Sequence, residues 1–141
     1  MAFRPIRVYT SLCTGCRACE AACVFHHEGV LGTSSSRIRV RKDEAEGLDD
    51  PRLCHICTEP ACIPSCPENA LGRDPQLGVI LLDESLCTGC EVCIDACPFG
   101  SVSKDPRTGR PLFCDLCGGA PACILRCSPG ALKSEGGMAG E

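Results

Sequence analysis

Cysteine is the residue that most constrains this chain, because it accounts for 16 of the 141 residues and recurs at fixed spacings. The cysteines form four sets of four. The first and third sets follow C-x2-C-x2-C-x3-C, the second C-x2-C-x4-C-x3-C, and the fourth C-x2-C-x5-C-x3-C. The sets are Cys13, Cys16, Cys19 and Cys23; Cys54, Cys57, Cys62 and Cys66; Cys87, Cys90, Cys93 and Cys97; and Cys114, Cys117, Cys123 and Cys127.

This spacing favours cubane iron–sulfur clusters over the other uses of cysteine. A [4Fe–4S] cluster takes four thiolates, and C-x2-C-x2-C-x3-C is the bacterial ferredoxin run. Zinc is the main alternative, but zinc sites usually join two separated pairs rather than crowding the ligands into one loop. Disulfides require an oxidising compartment, and residues 1–12 contain no apolar run typical of a secretory signal. We therefore expect four [4Fe–4S] clusters, with zinc and disulfides as the alternatives.

The rest of the composition indicates a small, loop-rich protein that relies on its metal. There is no Trp, one Tyr and four Phe, against 15 Gly and 11 Pro, so a large core is not expected. We expect folding to depend on metal binding and the metal-free chain to be largely disordered.

The net charge is −4 with no dominant basic segment, which argues against nucleic-acid binding. The longest aliphatic run, Val79 to Leu82, cannot span a bilayer. A thiol-rich chain without a signal peptide is expected in the cytoplasm.

The sequence repeats internally. Ser11–Cys23 and Ser85–Cys97 are identical at nine of thirteen positions. The second and fourth sets each contain Pro-Ala-Cys, at residues 60–62 and 121–123. This repetition predicts an α+β fold of tandem duplicated, bacterial-ferredoxin-like units. Short strands are expected at residues 6–9, 38–40 and 79–82, with each three-cysteine loop followed by a short helix that carries the fourth cysteine.

We expect one compact domain over residues 1–133. Residues 26–51 interrupt the repeat and are expected to form an inserted hairpin or loop. This insertion is either a solvated edge or a docking surface for a partner subunit, since its charge runs are compatible with both. Residues 134–141 are small and polar and are expected to be a flexible tail.

The four-set layout resembles the four-cluster, ferredoxin-like electron-transfer subunits of molybdenum and tungsten oxidoreductases. Similar subunits accompany dimethyl sulfoxide reductase, polysulfide reductase, formate dehydrogenase and some hydrogenases. Residues 114–132 and the run His26-His27-Glu28-Gly29 look most like the small subunits of tungsten aldehyde oxidoreductases. The resemblance covers residues 6–132. This chain lacks the long insertions and the membrane-docking segment that larger members of the family carry.

The resemblance implies a nested sharing of cysteines, in which the first set shares clusters with the fourth and the second with the third. The fourth cysteine of each run would then ligate the neighbouring cluster. The implied ligand groups are Cys13, Cys16, Cys19 and Cys127; Cys114, Cys117, Cys123 and Cys23; Cys54, Cys57, Cys62 and Cys97; and Cys87, Cys90, Cys93 and Cys66.

Several other residues near the cysteine sets have two possible roles. His55 and His26-His27 are either ordinary solvated or packing residues, or groups that tune a cluster's potential or couple a proton. Gly15 and Gly89 are expected to let the backbone approach the cluster closely. The basic residues close to the sets either offset cluster charge or serve solubility; these are Arg17, Lys104, Arg110 and Arg126.

The chain contains no nucleophile–base arrangement and no phosphate or dinucleotide motif, so we expect it not to be a catalyst. The leading hypothesis is an electron-transfer subunit that relays single electrons through four clusters between a catalytic subunit and a redox partner. The catalytic subunit implied by the resemblance is a tungsten or molybdenum enzyme of the aldehyde oxidoreductase type, with a flavin subunit reacting with NAD as a plausible third component. The alternatives are a free, diffusible polyferredoxin, a hydrogenase- or formate dehydrogenase-linked subunit, and a zinc-stabilised interaction module.

Overall fold

A computed structural model describes residues 6–57, 60–119 and 121–134 of the chain. Within this part, the chain forms short strands and helices joined by long loops, which agrees with the predicted α+β class. The strands are β1 (Ile6–Val8), β2 (Arg39–Asp43), β3 (Leu48–Arg52), β4 (Leu71–Arg73), β5 (Ile80–Leu82), β6 (Ser103–Lys104), β7 (Pro111–Leu112) and β8 (Leu132–Ser134). The α-helices are α1 (Ala18–Glu28), α2 (Cys62–Ser65), α3 (Val92–Ala96) and α4 (Ala122–Arg126), and 3-10 turns lie at Thr10–Leu12 and Leu116–Gly119.

The strands pair in four separate antiparallel ladders, and two of these ladders decide which cysteine sets meet. β1 pairs with β8, with Ile6 opposite Ser134 and Val8 opposite Leu132, so the two ends of the described chain lie side by side. β4 pairs with β5, with Leu71 opposite Leu82. The first ladder brings the first set next to the fourth, and the second ladder brings the second set next to the third.

Helix packing follows the same division. α1 packs against α4, and α2 packs against α3. Two clusters of buried side chains accompany the two helix pairs; one contains Ile38 and Leu116, and the other contains Val102 and Phe113. Cys54 packs against both clusters, so the two parts of the molecule are continuous at this residue.

The helices differ from the sequence-based expectation in where they place the cysteines. We expected the fourth cysteine of each set to lie on the helix. Instead, the third cysteine lies on each helix, while Cys66, Cys97 and Cys127 occupy the C-cap position just after it. The first set is the exception, because α1 continues past Cys23 to Glu28.

Part of the insertion predicted for residues 26–51 is the end of α1, and the hairpin itself runs from Arg39 to Arg52. The hairpin contacts the first cysteine loop. A Cβ added to Gly15, whose φ is +72°, would lie 2.7 Å from Asp49 Oδ1 and 2.8 Å from Lys42 Nζ. Gly15 therefore allows the hairpin to approach the loop, and the expected close approach to a cluster stays a prediction.

Two further predictions concern the ends of the chain and the membrane. Ser134 belongs to β8, and the remainder of the tail predicted for residues 134–141 lies outside the described residues. Among residues 6–57, 60–119 and 121–134, no helix is long and apolar enough to cross a bilayer.

Candidate metal centres

All four cysteine loops share one backbone conformation, in which the residue immediately before the second cysteine is left-handed. In the first and third loops this residue is glycine, Gly15 and Gly89, with φ of +72° and +77°. In the second and fourth loops it is Ile56 and Leu116, with φ of +51° and +56°. Left-handed backbone is costly for a β-branched or bulky residue. Because Ile56 and Leu116 are buried, packing of their side chains compensates for this strain and holds the loops in a shape that the glycines adopt freely.

Backbone N–H groups point at the cysteine sulfurs, as expected for loops that stabilise thiolates. Hydrogen bonds to a thiolate sulfur lower its charge density and orient it. The N···S distances are 3.3 to 3.4 Å, and the donors and acceptors are Arg37 to Cys23, Ile56 to Cys54, Ala70 to Cys66, and Leu116 to Cys114.

Three internal cavities are each lined by four cysteines that come from two different sets. In every case three cysteines belong to one set and the fourth to its partner set. The groups are Cys13, Cys16, Cys19 and Cys127; Cys23, Cys114, Cys117 and Cys123; and Cys66, Cys87, Cys90 and Cys93.

The remaining four cysteines also lie close together. Burial, together with the charges of Cys62, Cys57 and Cys97, raises the pKa of the Cys54 thiol to about 11. The pKa of Cys62 is likewise raised, first by burial and then by Cys97 and Cys57. Cys54, Cys57, Cys62 and Cys97 thus form a fourth group. The four groups coincide with those that the resemblance implies, while ligation by them remains a prediction.

The chemistry of these thiols fits a cationic iron–sulfur core. Burial is the main cause that raises the pKa of Cys93 to about 11 and those of Cys19 and Cys114 to about 12, and neighbouring cysteines contribute as well. Four buried thiolates repel one another unless positive charge lies between them. Iron supplies that charge, and a coordinating thiol is deprotonated by it. The groups therefore fit [4Fe–4S] clusters, which would be held by the cysteine sulfurs.

Charged side chains surround the group containing Cys23. His27 Nδ1 lies 2.8 Å from the Cys23 carbonyl oxygen and 3.7 Å from its sulfur, and His27 Nε2 lies 2.9 Å from Asp115 Oδ1. The Asp115 carboxylate and the Cys23 contacts raise the pKa of His27 to about 10. Burial opposes ionisation of Asp115, but hydrogen bonds from His27 and the Cys117 amide outweigh it and lower its pKa to about 2.

Arg37 lies beside the same group. It lines the cavity with Cys23, Cys114, Cys117 and Cys123. Its Nη1 is buried and has no hydrogen-bond partner among the described residues. Sequence reasoning missed Arg37 and Asp115 and left the role of His27 open. One sequence signal for the position of His27 was available. Cys23 is followed by Val24, whereas a proline follows Cys66 and Cys97, so the helix can continue past Cys23 and carry His27.

Of the other residues that we singled out, Arg17 lines the cavity of Cys13, Cys16, Cys19 and Cys127. His55 stacks on Phe99 at 4.0 Å between ring centroids. Lys104 pairs with Glu91, Arg110 approaches Glu84, and the side chain of Arg126 is exposed. Arg17 pairs with the buried Glu20 at 2.9 Å. His26 and His27 approach Cys117 within 4.8 Å, but both ring nitrogens of His27 already contact oxygen atoms.

The four groups follow one another through the molecule. The charge of Cys19 acts on Cys123, that of Cys54 acts on Cys114, and that of Cys62 acts on Cys93. Each of these pairs joins two different groups. Of the sixteen cysteines, only Cys16 and Cys90 are exposed, and they belong to the first and last groups of this series.

Comparison with known proteins shows the family. Residues 45–135 match the 4Fe-4S dicluster domain, and the chain belongs to that family. This match confirms the prediction of [4Fe–4S] chemistry at the level of the cofactor type.

Two curated relatives are subunits of oxidoreductases. The chain is 40% identical over 115 residues to the polyferredoxin-like subunit of aliphatic sulfonate oxidoreductase from Pyrococcus furiosus, covering 82% of this chain and 66% of the relative. It is 35% identical over 134 residues to the beta subunit of NADH-dependent phenylglyoxylate dehydrogenase from Aromatoleum evansii, covering 94% and 30%. The chain thus spans two thirds of the first relative at most, and less than one third of the second. The predicted class, an electron-transport subunit of oxidoreductases, agrees with both names.

A solved structure has the same fold. The chain superposes on one from the active site complex BamBC of benzoyl coenzyme A reductase with a TM-score of 0.58 and 29% identity. The match covers 94% of this chain and 78% of that chain.

Proposed function

We propose that the chain holds four [4Fe–4S] clusters and relays single electrons between a catalytic subunit and a redox partner. The ligands are the four groups described above, one cluster to each group. When bound, the clusters supply one-electron transfer at potentials that the surrounding protein adjusts. The protein's part is to hold the thiolates, to exclude water from them and to fix their order.

The observation that carries this proposal is the lining of the three cavities. Each cavity is bounded by four cysteines, three from one set and one from its partner set. Zinc sites usually take two separated pairs of ligands, whereas each of these cavities takes three cysteines from one set and one from another. Four thiols around each cavity supply the full ligand count of a cubane.

The order of the groups supports a linear relay. The pairs Cys19–Cys123, Cys114–Cys54 and Cys62–Cys93 interact electrostatically, and each pair joins two neighbouring groups of the series. We infer that electrons enter and leave at the two ends, where Cys16 and Cys90 reach the surface. In this proposal the chain itself does not catalyse.

We propose that the partner is a catalytic tungsten or molybdenum subunit of the aldehyde oxidoreductase type, as the resemblance implies, and that the complex is cytoplasmic. A flavin subunit that reacts with NAD is a possible third member, supported by the name of the NADH-dependent relative. A hydrogenase- or formate-linked complex is the alternative, supported by 43% identity over 83 residues to formate hydrogenlyase subunit 2 of Escherichia coli (strain K12). A free, diffusible polyferredoxin is the other alternative.

The test is an anaerobic affinity purification from the native host, with metals and co-eluting chains quantified together. The proposal predicts about sixteen irons per chain, four for each cubane, and a large subunit that carries tungsten or molybdenum. The same iron on a lone chain would support the free polyferredoxin. Zinc in place of iron would contradict the cluster assignment. Turnover of aldehyde, formate or hydrogen by the isolated chain would contradict the non-catalytic role.

A further inference from the structure

Arg37 presents a buried cationic donor to one of the four cysteine groups. Its backbone N–H donates to Cys23 Sγ at 3.3 Å, and its Nε donates to the Phe113 carbonyl at 3.0 Å. These two bonds anchor the residue at both its main chain and its side chain. Nη1 is buried without an acceptor among the described residues, and Arg37 lines the cavity together with Cys114, Cys117 and Cys123.

A buried guanidinium donor without a partner is unfavourable, and arginine cannot avoid the cost by losing its proton. Arg37 lines this cavity, and its charge acts on Cys117. A cluster held by the four cysteines would offer sulfur acceptors to this unpartnered donor.

The nearby carboxylates pair with other cations, although the charge of Arg37 acts on both Asp105 and Asp115. Asp115 pairs with His27 at 2.9 Å, and Arg107 pairs with both Asp105 and Glu28 at 3.1 Å. Among the described residues, Arg37 is thus a cation that no direct ion pair neutralises.

The last group of the series is surrounded differently. Among the described residues, its cavity is lined by Glu68 and Glu91 and by no basic side chain, and Glu91 pairs with the exposed Lys104. The two groups have the same four thiol ligands, so their difference lies in the charges around them.

We propose that Arg37 raises the reduction potential of the centre held by Cys23, Cys114, Cys117 and Cys123, an inference that rests on the proposed cluster assignment. Reduction adds one negative charge to the centre. A buried cation that also donates a hydrogen bond stabilises that added charge more than it stabilises the oxidised state. Arg37 thereby makes this centre, the second in the series, easier to reduce than its ligands alone would.

The test is a potentiometric titration of the anaerobically purified chain, followed by electron paramagnetic resonance, with iron content measured on the same samples. Arg37→Met removes the charge and the donors while keeping an unbranched apolar side chain of similar length. Arg37→Lys keeps the charge but loses the planar fork. Arg41→Met is the matched control, because Arg41 is exposed on β2.

For Arg37→Met, one centre is expected to become at least tenfold harder to reduce, which corresponds to a decrease of about 59 mV for a one-electron couple. Arg37→Lys should decrease the reduction potential of that centre less, and Arg41→Met should leave all potentials unchanged. A full iron content with no shifted centre in Arg37→Met would overturn the role of Arg37 while leaving the clusters in place. Absence of iron in the wild-type chain would instead overturn the cluster assignment.

If Arg37→Met does not retain iron, the wild-type chain decides the question. Arginine labelled with 15N in the guanidinium group should give a measurable 15N hyperfine coupling to one reduced centre in pulsed paramagnetic resonance. Absence of that coupling in a fully loaded chain would overturn the proposal, because Nη1 would then not approach the centre.

Discussion

The two closely matching repeats, Ser11–Cys23 and Ser85–Cys97, build helices of different length. α1 runs for 11 residues, whereas α3 runs for 5 and ends at Ala96. The reason lies in the residues that follow each motif. Pro98 follows the last cysteine of the second repeat, and proline can neither donate a backbone hydrogen bond nor follow an α-helical residue easily. Val24 occupies the same place after the first repeat, and the helix continues until Gly29 ends it in the left-handed conformation.

The longer helix changes the surroundings of one metal centre. The extra turn carries His27 to within 2.9 Å of Asp115 in the fourth cysteine loop. The second repeat has no such turn, and its last cysteine is followed by a tight turn in which the Gly100 N–H donates to the Cys97 carbonyl at 3.3 Å. The residues after the motif thus decide whether the helix can reach the neighbouring loop.

Replacing Val24 with proline should have the largest effect, because it would impose the geometry of the second repeat on the first. Proline inside a helix costs about 3 kcal/mol or more. The turn that carries His27 would be lost, and we expect the chain to lose the cluster held by Cys23, or about four irons. Iron analysis and far-UV circular dichroism would measure this.

The control for Val24→Pro is Val24→Ala, which removes buried side-chain volume but keeps the helix. Val24 is 2% exposed, so the control also destabilises the chain, but it should retain all of its iron. Equal iron loss in both variants would show that the side chain of Val24, rather than the length of the helix, is what matters.

A second difference between the repeats is Glu20, which stands where Ile94 stands in the other repeat. The Glu20 carboxylate is 2% exposed and accepts hydrogen bonds from the Val40 N–H at 2.6 Å and from Arg17 at 2.9 Å. It ties the hairpin to α1. Glu20→Ala would leave the buried Val40 N–H without an acceptor, at a cost of about 1–3 kcal/mol.

Hydrogen exchange at the Val40 amide would measure the effect of Glu20→Ala, and faster exchange is expected. Glu20→Gln keeps an acceptor oxygen and loses only the ion pair with the half-exposed Arg17, which is worth about 0–1 kcal/mol. It should therefore retain most of the protection. Similar exchange rates in wild type and Glu20→Ala would contradict the tethering role.

The glycines of the two C-T-G-C loops allow a matched comparison. Both have positive φ, so alanine carries a similar backbone penalty of about 1–2 kcal/mol at each site. Only at Gly15 would the new Cβ also meet Asp49 and Lys42; at Gly89 the nearest atom is the Gly109 carbonyl oxygen at 3.5 Å. Gly15→Ala should therefore accelerate thermal loss of iron more than Gly89→Ala does. The opposite order would mean that the hairpin does not constrain the first loop.

Pro98→Ala should have the smallest effect. Removing the proline restores a backbone N–H, but Gly100 still turns the chain with φ of +61°, so α3 is not expected to lengthen into a second α1. The change in the free energy of unfolding should be about 1 kcal/mol or less. Nuclear magnetic resonance of the backbone around residues 98–100 would detect any added helical turn, which would contradict this expectation.

The sequence was sufficient for the parts of the site that depend on local spacing. The four cysteine sets and the strands near residues 6–9 and 79–82 follow from motif and β-propensity. The pairing of β1 with β8 joins residues more than 120 positions apart, and nothing local predicts it. The left-handed Ile56 and Leu116 also escape prediction, because their own propensities oppose that conformation and only burial maintains it. The direction of Arg37 depends on the Phe113 carbonyl, a contact 76 residues away.

The central claim, that each cluster takes three cysteines from one set and one from another, can be tested most directly with Cys127→Ser. The anaerobically purified variant would be treated with a thiol alkylating agent and analysed by mass spectrometry, beside the wild-type chain. The account predicts that Cys13, Cys16 and Cys19 become alkylated while Cys114, Cys117 and Cys123 stay protected. Alkylation of Cys114, Cys117 and Cys123 instead would show that each set holds its own cluster and would contradict the account.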